Sequence, residues 1–261
     1  RFMKLGFPDL VVTSVYVPFN GAGKATHLTR RREWDADLLE EMRPNTDTRR
    51  GRVLLGDLNV INRDSDLSHT PEFWQGLGPQ DGPIEDRGFG GTTANERRRF
   101  QTMQKVAKLS DTFTQPSGRR QEARWTFRGQ GHLFGKGMKV DYILMDDTIL
   151  LSGGVKDSRI LCNGRDREGF MGSDHAPLWC ELHSRWRTKR ANLLAHYEAG
   201  SDLQIGVAEG SWEPEMVNLP ETVTESGSEI AEERVKVRTA LMASAGGTVM
   251  ENGTVTENGP V

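Results

Sequence analysis

Arg52-Val53-Leu54-Leu55-Gly56-Asp57-Leu58-Asn59 is the stretch from which the fold is read. Val53-Leu54-Leu55 is short and continuously apolar, the pattern of a strand covered on both faces rather than on one. It runs into Gly56-Asp57-Leu58-Asn59, so a carboxylate and an amide fall at the strand's end. Moving toward the N-terminus, Thr26 to Met42 predicts a helix. Its apolar stripe is Leu28, Trp34, Leu38, Leu39 and Met42, and Arg43-Pro44 stops it. Before it, the β-branched run Leu10 to Val17 predicts a second buried strand, closed by Pro18 and Asn20-Gly21.

Moving toward the C-terminus, Arg63 to Gly91 is polar and rich in Gly, Pro and Asp. A loop of that length in a packed domain is expected to be functional or disordered. Thr93-Ala94-Asn95-Glu96 is a capping box, and the helix it opens carries Phe100, Met103, Val106 and Ala107 on one face. Arg97, Arg98 and Arg99 sit in its first turn, against the helix dipole, so a solvent or phosphate contact is weighed for them. Arg124 to Phe127, Lys139 to Leu144 and Ala176 to Leu182 read as further strands, with a polar turn Gly172-Ser173-Asp174-His175 before the last. Strands and helices mix without strict alternation, which predicts an α/β sandwich of packed sheets with helices outside.

The chain has 261 residues, 35% of them hydrophobic, and a mean hydropathy of -0.60. That is low for a chain packed throughout. The formal net charge of -3 conceals an asymmetry, because residues 201–261 hold 11 acidic and 3 basic side chains. The body is therefore mildly basic, compatible with a polyanionic partner, and the tail is acidic. Residues 1–183 read as one packed domain and 184–261 as an acidic, mostly disordered tail. Within the tail, 191–198 and 232–245 are the stretches with helical character. No apolar run approaches the roughly 18–20 residues of a membrane span. Cys162 and Cys180 lack metal-site spacing and read as reduced thiols of an intracellular protein. The chain opens on Arg1 rather than methionine and reads as part of a longer reading frame.

Tyr16, the Asp57/Asn59 pair, Asp141 and the Asp174/His175 pair all fall at ends of predicted strands, where a sheet holds side chains rigidly. These residue types suit phosphodiester hydrolysis. Carboxylate and carbonyl oxygens of Asp57, Asn59 and Asp174 are ligands for a hard divalent cation such as Mg²⁺ or Mn²⁺. Such a cation neutralises charge on a scissile phosphate. Asp57 can serve as the base for water, and a His175–Asp141 pair can present a cation to a phosphate oxygen.

The order of these segments resembles the endonuclease/exonuclease/phosphatase superfamily. Tyr16-Val17-Pro18 with Asn20-Gly21 resembles its Y-x-P-N segment, here with Phe19 as an extra residue. Gly56-Asp57-Leu58-Asn59 resembles G-D-[FL]-N, Val140-Asp141-Tyr142-Ile143 resembles [IL]-D-Y-[IF], and Ser173-Asp174-His175-Ala176-Pro177 resembles S-D-H-x-P. Glu33-Trp34-Asp35, Gly90-Gly91-Thr92-Thr93 with Glu96-Arg97, Asp111-Thr112-Phe113, Trp125-Thr126-Phe127 and Asp157-Ser158-Arg159-Ile160 resemble the branch of exonuclease III-like abasic-site endonucleases.

The resemblance implies a four-layered α/β sandwich of two packed mixed sheets flanked by helices. It implies Asp57, Asn59, Tyr16, Asp141 and His175 as catalytic residues, with Asp174 at a metal position among Asp57, Asn59 and His175. It further implies Asn20, Trp125, Phe127, Arg128 and Met138 as substrate contacts, with Met138 standing where the branch has Trp. The implied activity is metal-dependent cleavage of DNA at abasic sites, with 3′-exonuclease character, in base excision repair. The alternatives are a retroelement-encoded DNA endonuclease of the same fold and a catalytically inactive interaction module. The family's first strands, including a Q-E-[TS]-K strand with a metal-binding glutamate, have no counterpart before Leu10. A monomer bound to DNA and not to membrane, nuclear in a eukaryote, completes the expectation.

Overall fold

Three largely buried strands form the middle of the molecule. The computed structural model describes residues 1–21, 25–44, 50–113, 125–129, 131–161, 172–198 and 236–239. Its strands are β1 (Phe2–Gly6), β2 (Leu10–Tyr16), β3 (Gly51–Asp57), β4 (Leu109–Asp111), β5 (Phe127–Arg128), β6 (Gly137–Met138), β7 (Asp141–Asp146), β8 (Val155–Ile160), β9 (Leu178–Leu182) and β10 (Lys236–Thr239). Its helices are α1 (Ala25–Met42), α2 (Pro71–Gly76), α3 (Ala94–Ala107), α4 (Asp147–Leu151) and α5 (Trp186–Glu198).

A five-stranded mixed sheet has the order β1-β2-β3-β7-β4, and a second sheet has the order β10-β9-β8. Strand side chains alternate between faces, and here both faces find partners. On one face Val15, Leu54, Tyr142 and Leu144 pack with Leu38 and Met42 of α1 and with Phe100, Met103 and Ala107 of α3. On the other, Leu10, Val12, Val53, Leu55, Ile143 and Met145 pack with Leu178, Cys180 and Leu182 of β9 and Trp186 of α5. The result is an α/β sandwich, of which the described residues supply the two packed sheets and the layer of α1 and α3, with β5 and β6 paired as a separate two-stranded sheet. No helix among the described residues is long and apolar enough to cross a membrane.

Several expectations need correction. The stretch 63–91 is not a bare loop. It holds α2, N-capped by Thr70, and two 3-10 turns. Trp74 of α2 is fully buried against Ile61, Leu67 and Met138. Packed structure does not stop at 183, because α5 starts at Trp186 and buries Trp186 and Leu193. Lys236–Thr239, within the stretch read as helical, is a strand antiparallel to β9. Val237 and Thr239 in that stretch are β-branched, which favours extension. The expected strand over 124–127 shrinks to β5, and the last expected inner strand starts at Asp141, not Lys139. β1 was not anticipated. Its five residues are exposed, so it carries no burial pattern to read. The remainder of the acidic tail, Cys162 and Arg124 lie outside the described residues.

Candidate active site

Sheet register assembles the site. Parallel pairing of β2 with β3 sets Tyr16 opposite Asp57, and antiparallel pairing of β3 with β7 sets Asp57 opposite Asp141. The three residues form one row across the sheet. Period-2 alternation decides which way they face. Asp57 shares parity with Val53 and Leu55 and Asp141 with Ile143 and Met145, so both belong to the face that meets the second sheet, whereas Tyr16 at the rim lines a cavity with Arg1, Phe19, Arg30 and Trp34. Gly56 permits the close β2–β3 approach: its φ is +138°, and a Cβ there would lie 1.9 Å from the Val15 carbonyl oxygen.

His175 arrives from the second sheet. The turn before β9 is stitched to the β5 segment, with the Arg128 N–H donating to the Asp174 carbonyl and the Ala176 N–H to the Thr126 carbonyl. The Thr126 hydroxyl accepts from the backbone N–H groups of Val140 and Asp141, which pins the start of β7 to the same segment. Thr126 belongs to a quoted motif, but nothing in the sequence marks it as the anchor of the aspartate strand.

His175 Nδ1 and Asp141 Oδ2 are 2.8 Å apart, and the Phe127 ring lies 5.4 Å from the imidazole. Asp57 is 2% exposed. The Asn59 backbone N–H donates to its Oδ1 at 2.8 Å and the Asn59 amide Nδ2 to its Oδ2 at 3.0 Å. Asp57, Asp141 and His175 each offer a ligand atom within 4.8 Å of the others. Asp141 Oδ1 is buried with no hydrogen-bond partner. A buried carboxylate oxygen in that state is costly, and a hard divalent cation between the two carboxylates would satisfy it. The donor set therefore fits a metal.

The electrostatics agree. Burial and then the Asp141 charge push Asp57 up to about 7, against the opposing pull of His175, the Asn59 N–H and Arg31. Burial alone would lower His175, but the Asp141 charge and hydrogen bond, with help from Asp57 and Asp174, outweigh it and lift the imidazole to about 9. At neutral pH the site holds an imidazolium beside a carboxylate that titrates near neutrality.

The sequence profile described as "Endonuclease/Exonuclease/phosphatase family" matches residues 2–175. The chain belongs to that family. It is 32% identical over 195 residues to a DNA-(apurinic or apyrimidinic site) endonuclease of Arabidopsis thaliana, covering 70% of this chain and 50% of the relative. It is 28% identical over 180 residues to the DNA repair nuclease APEX1 of Danio rerio, covering 68% and 50%. The chain thus spans about half the length of these relatives. Among solved structures, a 3′-5′ exonuclease of Neisseria meningitidis superposes with a TM-score of 0.54 at 24% identity, covering 70% of this chain and 64% of that one. That likeness bears on the fold.

Within this endonuclease/exonuclease/phosphatase chain, the structure sorts the remaining expected site residues. Asp174 neighbours His175 but is not part of the three-residue group. Asn59 holds Asp57 through two bonds. Tyr16 is half-buried at the rim, its ring 5.9 Å from the Arg1 guanidinium. Asn20 is 2% exposed, and the extra Phe19 beside it is 40% exposed. Phe127 stands at the site. Arg128 is buried with its guanidinium 4.6 Å over the Trp125 ring, and Met138 is core, packed with Leu67 and Leu133. Arg97 and Arg99 meet Asp64 and Asp35, and Arg98 meets Asn95, so all three are engaged by the protein.

Proposed function

We propose that the protein is a divalent-metal-dependent DNA phosphodiesterase that incises at abasic sites, as in base excision repair, with 3′-exonuclease character. The observation that carries this reading is the convergence of Asp57, Asp141 and His175, from strands far apart in sequence, within 4.8 Å. The Arabidopsis and zebrafish relatives, named for abasic-site cleavage and DNA repair, favour that substrate among the family's phosphate esters.

Asp57, ionised near neutral pH, accepts a proton from the attacking water as its oxygen bonds to phosphorus. Asn59 keeps the carboxylate aimed during that transfer. His175, kept cationic by Asp141, donates a hydrogen bond to a non-bridging phosphate oxygen as charge builds there. Tyr16, in the same row, faces the leaving oxygen, which departs with the electron pair of the broken P–O bond. Asp57 and Asp141 would hold Mg²⁺ or Mn²⁺, which would supply neutralisation of the phosphate charge. Phe127, packed on His175, offers an apolar wall to a sugar without a base.

The test is incision of a duplex carrying one abasic analogue. The reading predicts a single cut 5′ of the lesion that requires Mg²⁺ or Mn²⁺ and disappears with EDTA and in Asp57→Asn. Equal nicking of intact and abasic duplex would instead favour the retroelement type of enzyme, and absence of any cleavage would reject the proposal.

A further inference from the structure

Arg30-Arg31-Arg32 lies in the first half of α1, and its middle member is 2% exposed. A guanidinium that far from water must be paid back in hydrogen bonds and counter-charge. Arg31 Nε donates to Asp35 Oδ1 at 2.8 Å. Nη1 donates to the carbonyl oxygens of Pro18 at 3.3 Å and Asn59 at 2.9 Å, and Nη2 to that of Leu58 at 3.0 Å. Those three carbonyls belong to the segments that follow Tyr16 and Asp57.

We propose that Arg31 is a positioning residue of the nuclease site, gripping the Leu58–Asn59 backbone so that the turn aims the Asp57 carboxylate. The inference rests on the proposed function and adds a residue to it. Asn59 has φ 46°, the left-handed region that non-glycine residues seldom occupy. Such a conformation persists only where its surroundings over-determine it. Arg31 supplies that constraint, taking the carbonyls of the two peptide units that flank Asn59. The Asn59 N–H and side-chain amide in turn hold the two Asp57 oxygens. A swing of the 58–59 backbone therefore moves both bonds to Asp57 at once.

The same turn is held from the other side. Gly91 has φ +81°, and a Cβ there would lie 2.7 Å from the Asn59 carbonyl oxygen. The Gly91 N–H donates to Glu96 Oε2, and Glu96, 0% exposed, reaches Arg31 with its other oxygen at 3.7 Å. Asp35 bridges Arg31 to Arg99. Two carboxylates thus balance the buried charge while Nη1 and Nη2 stay on the backbone carbonyls. A lysine keeps the charge but has one compact ammonium in place of a planar fork, so it cannot hold three carbonyls and a carboxylate together.

The experiment compares wild type with Arg31→Lys, and with the double variant Arg31→Met/Glu96→Gln, which leaves no buried carboxylate unpaired. Two quantities are read. One is amide hydrogen exchange at Asn59 against the amides of β3 and β7. The other is kcat and KM for abasic-duplex incision. Exchange at Asn59 is expected to rise by roughly tenfold or more, with the strands changed less than about twofold. The kcat is expected to fall by roughly 10²-fold with KM within about threefold. An Asn59 amide protected as in wild type, or a kcat within about twofold of wild type, overturns the role. If wild type itself cuts no DNA, the proposed function falls, and the exchange at Asn59 still decides the role of Arg31.

Discussion

Strands β1 and β3 lie two places apart in one sheet, and both are rich in apolar residues. In β3, Val53, Leu54 and Leu55 are at most 4% exposed, whereas Phe2, Met3 and Leu5 of β1 are 45% exposed or more. The difference teaches what makes the site rigid. A strand packed on both faces cannot slip by one residue, because every side chain would change face. Asp57 inherits its direction from that constraint. β1 is held by pairing to β2 on one edge and by an exposed Lys4–Glu41 contact, so little depends on what its side chains are.

The sharpest way to test that contrast is at the end of β3. Asp57→Ala should lower metal-dependent incision by on the order of 10³-fold or more in single-turnover assays, with the fold kept. Within the strand, Leu54→Ala should cost about 3 kcal/mol in denaturant unfolding, since it empties space in a packed core. A cost below about 1 kcal/mol would show that β3 is not clamped as described.

A smaller effect is expected from pH. The folded-state values of Asp57, about 7, and His175, about 9, both lie above their ordinary ones of 3.8 and 6.5. The folded protein therefore binds more protons than the unfolded chain, and stability falls as pH rises. For His175 the contribution is complete below 6.5 and lost through about 9, and for Asp57 it is lost by about 7. The Tm of the metal-free protein should decline from pH 6 to 9.5. His175→Gln should flatten the upper half of that decline and Asp57→Asn the lower half. Smallest of all, Leu5→Ala in β1 should change stability by less than about 0.5 kcal/mol. A loss comparable to that of Leu54→Ala would erase the distinction between the strands.

The readable parts were those in which local pattern and tertiary role coincide. Val53-Leu54-Leu55 and Tyr142-Ile143-Leu144 are apolar on both faces because both faces are covered, and each adjoins an aspartate. The same pattern therefore marked the central strands and the carboxylates. Elsewhere the controlling contact is remote. Trp74 is buried by Ile61, Leu67 and Met138, and no periodicity across a six-residue helix announces that. Trp186 is drawn into the sheet core from a stretch whose neighbours are all charged or polar, which hid the extent of the packed body. Arg31 is one of three consecutive arginines, and only the fold tells which of them turns inward.

The account comes down to whether Asp57 and His175 work on one phosphate as a unit, and a double-mutant cycle measures that directly. Single-turnover incision would be compared for wild type, Asp57→Asn, His175→Ala and the double variant, at fixed Mg²⁺ and pH. The account predicts that the double variant is within about threefold of the slower single variant, because each substitution already disables the shared step. Losses that multiply, or full activity in His175→Ala, would contradict it.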